Sequence, residues 1–187
     1  MNITGIRTWI FRILVAAVAV FIIIDFIAPW WIIDVFYEGT NIIAIKDAVV
    51  IHAYGLTTTL VEYEYMAQQY VTPLYQTILA FLFLGVSVLL MLLCTWRKGR
   101  KYQFLLGFIG LIYVLYPLGA YMLISHDTGA INYPMQGIID IQGARLHTYF
   151  VPMYFAFYGA GPALILLALL RNVIAPGLRK KKESDVT

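Results

Sequence analysis

Four apolar stretches, near Ile13–Ile33, Leu74–Trp96, Phe104–Ser125 and Tyr149–Leu170, decide most of what this chain can fold into. Each is close to the roughly 20 residues that an α-helix needs to cross the hydrocarbon of a bilayer. A core helix of a soluble protein keeps a polar face, and none of the four carries a polar stripe. Only 12% of the 187 residues are charged, against about 25% in soluble domains. The expectation is one integral membrane domain, residues 1–187, with an all-α four-helix bundle as its frame.

The charges predict its orientation. Eleven of the thirteen Lys and Arg residues fall before the first stretch (Arg7, Arg12), between the second and third (Arg97, Lys98, Arg100, Lys101) or after the fourth (Arg171 and Arg179 to Lys182). Basic flanks stay on the cytoplasmic side, so both termini are expected there, with a basic cytoplasmic tail over 171–187. The net charge of +3 is then a topological asymmetry and carries no nucleic-acid signal. No cleavage motif of the A-x-A kind follows the first apolar run, which therefore reads as a retained anchor. Asn2-Ile3-Thr4 is formally a glycosylation sequon, but on the expected cytoplasmic side it has no use. Cys94 is the single cysteine and reads as a small buried hydrophobe.

Between the first two helices the pattern changes from helical to extended. Trp30 to Tyr37 is aromatic and β-branched, Glu38-Gly39-Thr40-Asn41 is a turn signal, and Asn41–Ile45 and Ala48–Tyr54 read as two further strands around a Lys46-Asp47 turn. Gly55 ends the third strand, and Val61–Tyr65 alternates with period two as a half-buried strand does. Residues 30–72 therefore predict a small antiparallel sheet outside the membrane, with Gly137–Gln142 in the second outer segment as a fifth strand. In the helices, Pro117 predicts a kink. Gly107, Gly110 and the Ala156–Ala160 patch predict close helix approach.

Two constellations carry chemistry. Asp25 lies inside the first apolar run, and an intramembrane carboxyl is by default a candidate functional group. Its simplest use is a contact with His126, His147 or Arg145. The three histidines, His52, His126 and His147, all fall on the outer side with Asp127, Glu62 and Glu64. Imidazole and carboxylate suit zinc, copper and iron, so His126 and His147, with His52, are the candidate metal or haem ligands. No two of them stand at an i, i+4 spacing. Walker A, GxGxxG, GxSxG, HExxH and CxxC patterns are absent, which leaves conventional catalysis without a motif.

Four spans, a long strand-rich first outer segment and a short second one resemble the claudin-like tetraspan superfamily. Ala28-Pro29-Trp30-Trp31 is similar to the exit from a claudin first helix, and Ala53-Tyr54-Gly55-Leu56 to the approach to the W–GLW–C–C signature. Thr57 stands at the position of the second Trp, and the two loop cysteines are missing. The resemblance implies an outer sheet that contacts other proteins, with Trp30, Trp31, Tyr37, Gly55, Leu56, Tyr63 and Tyr65 as the interaction surface. The resulting expectation is a non-catalytic membrane protein with no cofactor, acting as a homo-oligomer or as an accessory subunit of a membrane complex. The alternatives are a small redox subunit with haem, copper or quinone near the outer face, and a small transporter or channel using Asp25.

Overall fold

A computed structural model describes residues 3–37, 42–58, 72–130, 135–141 and 143–178, of which 127–130 and 141 are described by backbone alone. The helices are α1 (Ile3–Ile27), α2 (Leu74–Trp96), α3 (Arg100–Ala130), α4 (Pro152–Phe157) and α5 (Ala160–Ile174), with a 3₁₀ turn over Pro176–Leu178. The strands are β1 (Pro29–Tyr37), β2 (Ile43–His52), β3 (Gly55–Thr58), β4 (Gly137–Ile141) and β5 (Ala144–Phe150). They form one antiparallel sheet in the order β3-β2-β1-β5-β4.

The helices are apolar outward. On α2 the buried residues include Ser87, Cys94 and Thr95, while Ile78, Leu79, Leu82, Leu89 and Trp96 are exposed. Water would select the opposite arrangement, since it leaves large contiguous apolar faces uncovered only at binding sites. Four helical segments, Ile3–Ile27, Leu74–Trp96, Arg100–His126 and Pro152–Ile174, are long and apolar enough to cross a bilayer. The chain is a multi-pass membrane protein. With four spans, the segments after the first and third fall on the same side of the membrane. Among the described residues those two segments supply the five strands, and they pair with each other through β1 and β5.

Several boundaries differ from the sequence expectation. The first helix starts at Ile3 and stops at Ile27, where residues up to Ile33 were expected to be helical. Pro29 disfavours helical geometry at the residue before it, and the chain turns directly into β1. Tyr149 and Phe150, expected in the fourth helix, instead end β5. That helix begins at Pro152, a residue suited to a first helical turn. It breaks at Tyr158-Gly159 and continues to Ile174. Pro162 has no N–H to give the carbonyl of Tyr158, which accounts for the break. Lys46-Asp47 is not a turn between two strands. Both residues lie inside β2, where Asp47 adopts a positive φ of 52°, and β2 carries two extra residues between the partners of Ile33 and Val35. The expected strand Val61–Tyr65 lies outside the described residues.

The chain falls into two compact units, one of Met1–Ile22, Phe83–Leu115 and Tyr158–Thr187, the other of Ile23–Leu82 and Tyr116–Phe157. In the first unit α3 and α5 meet backbone to backbone. A Cβ on Gly161 would lie 2.8 Å from the carbonyl oxygen of Gly110 and 2.7 Å from the amide nitrogen of Val114. Only glycine fits there, as small residues at membrane helix crossings generally allow. Deeper in the same unit Ser87 Oγ and Tyr113 Oη share a 2.6 Å hydrogen bond.

Arg171 is fully buried in this unit and corrects the reading of residue 171 as the start of a cytoplasmic tail. Its guanidinium donates to the carbonyls of Cys94 (3.2 Å), Arg97 (2.6 Å) and Gly99 (3.1 Å). Helix C-termini leave their last carbonyls without intrahelical partners, and here one arginine satisfies those of α2 and of the turn that follows. Arg12 adds a bond to Thr95 O at 3.3 Å and lies over the Trp96 ring at 4.2 Å. Replacing Arg171 by Met takes the side-chain donor from three carbonyls, of which Gly99 O keeps the Tyr102 N–H at 3.3 Å. Arg171→Met is expected to lose roughly 3 kcal/mol or more of stability, read as a lowered midpoint in thermal or SDS unfolding. Arg12→Met, with one carbonyl affected, loses less.

Candidate functional site

The second unit holds the sheet and the helix ends that continue into it, and its centre is the Pro29-Trp30-Trp31 joint. Trp30 is a bulge residue. Pro29 pairs with His52 and Trp31 with Ile51, so Trp30 has no partner on β2. Bulges bend a strand and upset its strict alternation, and Trp30, Trp31 and Ile32 are buried in succession. The Trp30 carbonyl accepts from Val151 N–H at 2.9 Å, so the first residue after β5 is held as well. The Trp30 ring lies 5.0 Å from Phe157, 5.4 Å from Tyr154 and 6.0 Å from Tyr116, centroid to centroid. Its indole N–H donates to the backbone carbonyl of Asp25 at 3.1 Å. Phe26 extends the cluster to Phe81 and Tyr54. Tyr116 and Tyr154 direct their hydroxyls to the carbonyls of Ala53 (2.6 Å) and Pro117 (2.9 Å).

The interaction residues expected from sequence therefore divide. Trp30 and Trp31 are interior, with Trp31 Nε1 donating to Met135 O at 2.7 Å, so they hold the joint and present no surface. Gly55 and Leu56 are half-buried in β3, where Leu56 exchanges hydrogen bonds with Thr72. Gly55 has a φ of +141°, and a Cβ there would run into the Thr72 side chain. Tyr37 is exposed, and Tyr63 and Tyr65 lie outside the described residues. Sequence reasoning missed Ile42, Ile43 and Ile45, which with Tyr37 form an exposed apolar tip where β1 and β2 end. The signal was present in the isoleucine cluster of 42, 43 and 45 but was absorbed by the strand reading.

Asp25 is fully buried, and among the described residues neither carboxyl oxygen has a hydrogen-bond partner. The expected contact with His126, His147 or Arg145 is not made. Arg145 instead pairs with Asp140 at 3.0 Å. His147 lies beside Phe36 and Tyr149 on the sheet. His52 stacks on Tyr54 at 4.7 Å, with Nδ1 2.9 Å from Ile27 O. His126 is exposed near the end of α3. Among the described residues no three His, Cys, Asp or Glu side chains gather into a metal-binding group. Glu62 and Glu64 lie outside those residues, and the side chain of Asp127 is not among those described.

Asp34 is the acid that the sheet does use. It is nearly fully buried on β1. Its Oδ1 accepts the N–H of Asp47 at 2.8 Å, which fixes the left-handed residue of the β2 bulge, and Oδ2 accepts the Tyr149 hydroxyl at 3.1 Å. The role is structural. Burial, together with the Asp34 carboxylate beside it, pushes the Tyr149 phenol up to about 12. No protein-family model and no curated protein matches this sequence.

Two outcomes follow from this geometry. Trp30→Ala is expected to destabilise the protein by about 3–5 kcal/mol, the usual cost of removing a large buried aromatic, measured by unfolding in mixed micelles. A phenol with a raised pKa holds its proton longer when folded, so folding loses stability as pH rises from about 10 toward 12 and is unaffected below. Difference absorbance against Tyr149→Phe should show one phenolate appearing late, and the variant should lose that part of the alkaline slope.

Proposed function

We propose that this chain is a non-catalytic integral membrane protein whose extramembrane sheet makes assembly contacts with other subunits in the same membrane, its own copies included. The observation that carries the reading is the apolar tip of the sheet. Outside the spans, Ile42 is 67% exposed, Tyr37 64%, Ile43 44% and Ile45 37%. Exposed apolar clusters in water mark protein contacts. Tyr37 ends β1, which follows α1 after a single residue, and Ile43 and Ile45 lie on β2 where it pairs with β1, so a contact made there bears on a membrane helix through that pairing. The resemblance to the claudin-like tetraspans supports the same reading and belongs to it. Orientation is part of the proposal: the basic segments put both termini and the α2–α3 turn in the cytoplasm and the sheet outside.

The test uses Ile43→Thr with Ile45→Thr, which keep β-branching and strand propensity. Assembly mass in mild detergent is measured against protein concentration. The variant should assemble roughly tenfold more weakly or worse while unfolding at the same midpoint. Unchanged assembly defeats the proposal. For orientation, Ile42→Cys should react with a membrane-impermeant maleimide on intact cells and Lys98→Cys should not; the native Cys94 is buried and stays silent.

A second reading rests on Asp25. A fully buried carboxyl with no partner, inside a spanning helix, is the kind of group that proton and ion pathways use. Asp25→Asn should abolish pH-driven or cation flux in proteoliposomes if it serves one. If it serves none, the variant should fold at least as stably as the native protein.

A further inference from the structure

The turn between α2 and α3 is Arg97-Lys98-Gly99-Arg100-Lys101-Tyr102, and these six residues line a recess of about 490 Å³. We propose that this recess binds the phosphate headgroup of an anionic phospholipid.

Four of the six residues are cationic, and among the described residues no acid lines the recess. A turn of this kind would ordinarily offset its cations with its own carbonyls and those of the preceding helix end. Here the carbonyls of Cys94, Arg97 and Gly99 all accept from the buried Arg171 guanidinium, so they are directed into the protein. The opposite side of the turn keeps the positive charge. Two of the cations are held against rings: Arg100 sits 5.2 Å from the Phe104 centroid and Lys101 5.2 Å from that of Tyr102. Gly99 N–H is tied to Leu178 O at 3.1 Å, which anchors the turn from a second element. A solvated topological flank requires none of this order.

The surroundings select a lipid over a free phosphate. The turn joins two spanning helices, which sets it at the level of the headgroups. From Arg100 an exposed apolar row, Phe104, Phe108, Leu111 and Leu115, runs along α3 at helical spacing. A lipid whose phosphate sat in the recess would lay an acyl chain on that row. Basic recesses beside membrane helices bind anionic headgroups by the same logic.

The protein, purified in uncharged detergent, is titrated with phosphatidylglycerol, phosphatidylcholine, glycerol 3-phosphate and inorganic phosphate, following the unfolding midpoint, with retained lipid read by native mass spectrometry. Phosphatidylglycerol should stabilise and stay bound, and the other three should do neither. Each cation removed should weaken binding about fivefold, and Lys98→Gln with Arg100→Gln and Lys101→Gln together on the order of a hundredfold. Their side chains are exposed, so the lipid-free midpoint should hold; if the triple variant fails to fold, Arg100→Gln alone carries the test. Substituting Lys180, Lys181 and Lys182 by Gln should change binding little. The proposal is overturned if the turn variants bind as the native protein does, if inorganic phosphate stabilises as well as the lipid, or if the tail variant loses as much as the turn variant.

Discussion

The ladder between β1 and β5 is the interaction on which the sheet depends. It runs without a register shift from Trp31 opposite Phe150 to Tyr37 opposite Ala144. Each of these strands is joined to a spanning helix through one residue, Ala28 before β1 and Val151 after β5. The hydrogen bonds of this one pairing therefore unite the two strand-bearing segments and hold the ends of the two spanning helices joined to them. The β1–β2 pairing, by contrast, has three register shifts. Its irregularities are absorbed by a bulged Trp30, which fills the aromatic cluster, and by a left-handed Asp47, held by Asp34. A regular ladder on one side and an accommodating one on the other let β1 serve as both spine and joint.

This arrangement also explains how a sheet of this size holds without the disulfide that the claudin resemblance would lead one to expect. A cross-link would restrict the outer segment through covalent closure. Here the same restriction comes from the buried Trp30, from Asp34 bonding the Asp47 amide and Tyr149, and from Thr72 returning to Leu56. These are many small terms. The hydrogen bonds are individually modest beside the burial of Trp30, but all act on segments that the bilayer already confines at both ends.

The number of spans, the sheet and the importance of the joint were legible in the sequence because long apolar runs, charge asymmetry and β-branched clusters are local signals. What was not legible depends on tertiary partners. No strand is expected from the sequence over 144–148, which carry Arg, His and Thr, yet they form β5 because β1 lies alongside. Trp30 and Trp31 read as part of an interaction surface; with the bulge at Trp30 both are buried instead. Arg171 read as one more basic flank. Its position at a helix end concealed that the unmet carbonyls of another helix lay within its reach.

Arg171 and Asp25 make the sharpest comparison in the molecule. Both are ionisable, both are fully buried, and both lie in spanning segments. Arg171 has three carbonyl acceptors, and removing it would take the side-chain donor from each; its cost of burial is offset by the helix end that it completes. Asp25 has no partner for either oxygen. Only its backbone is used, as acceptor for the Trp30 indole, and any residue at position 25 could supply that. A side chain that stabilises nothing and is expensive to bury is poorly explained by folding. Folding alone therefore gives asparagine or leucine at least equal footing at position 25, and that imbalance is what the second proposed reading rests on.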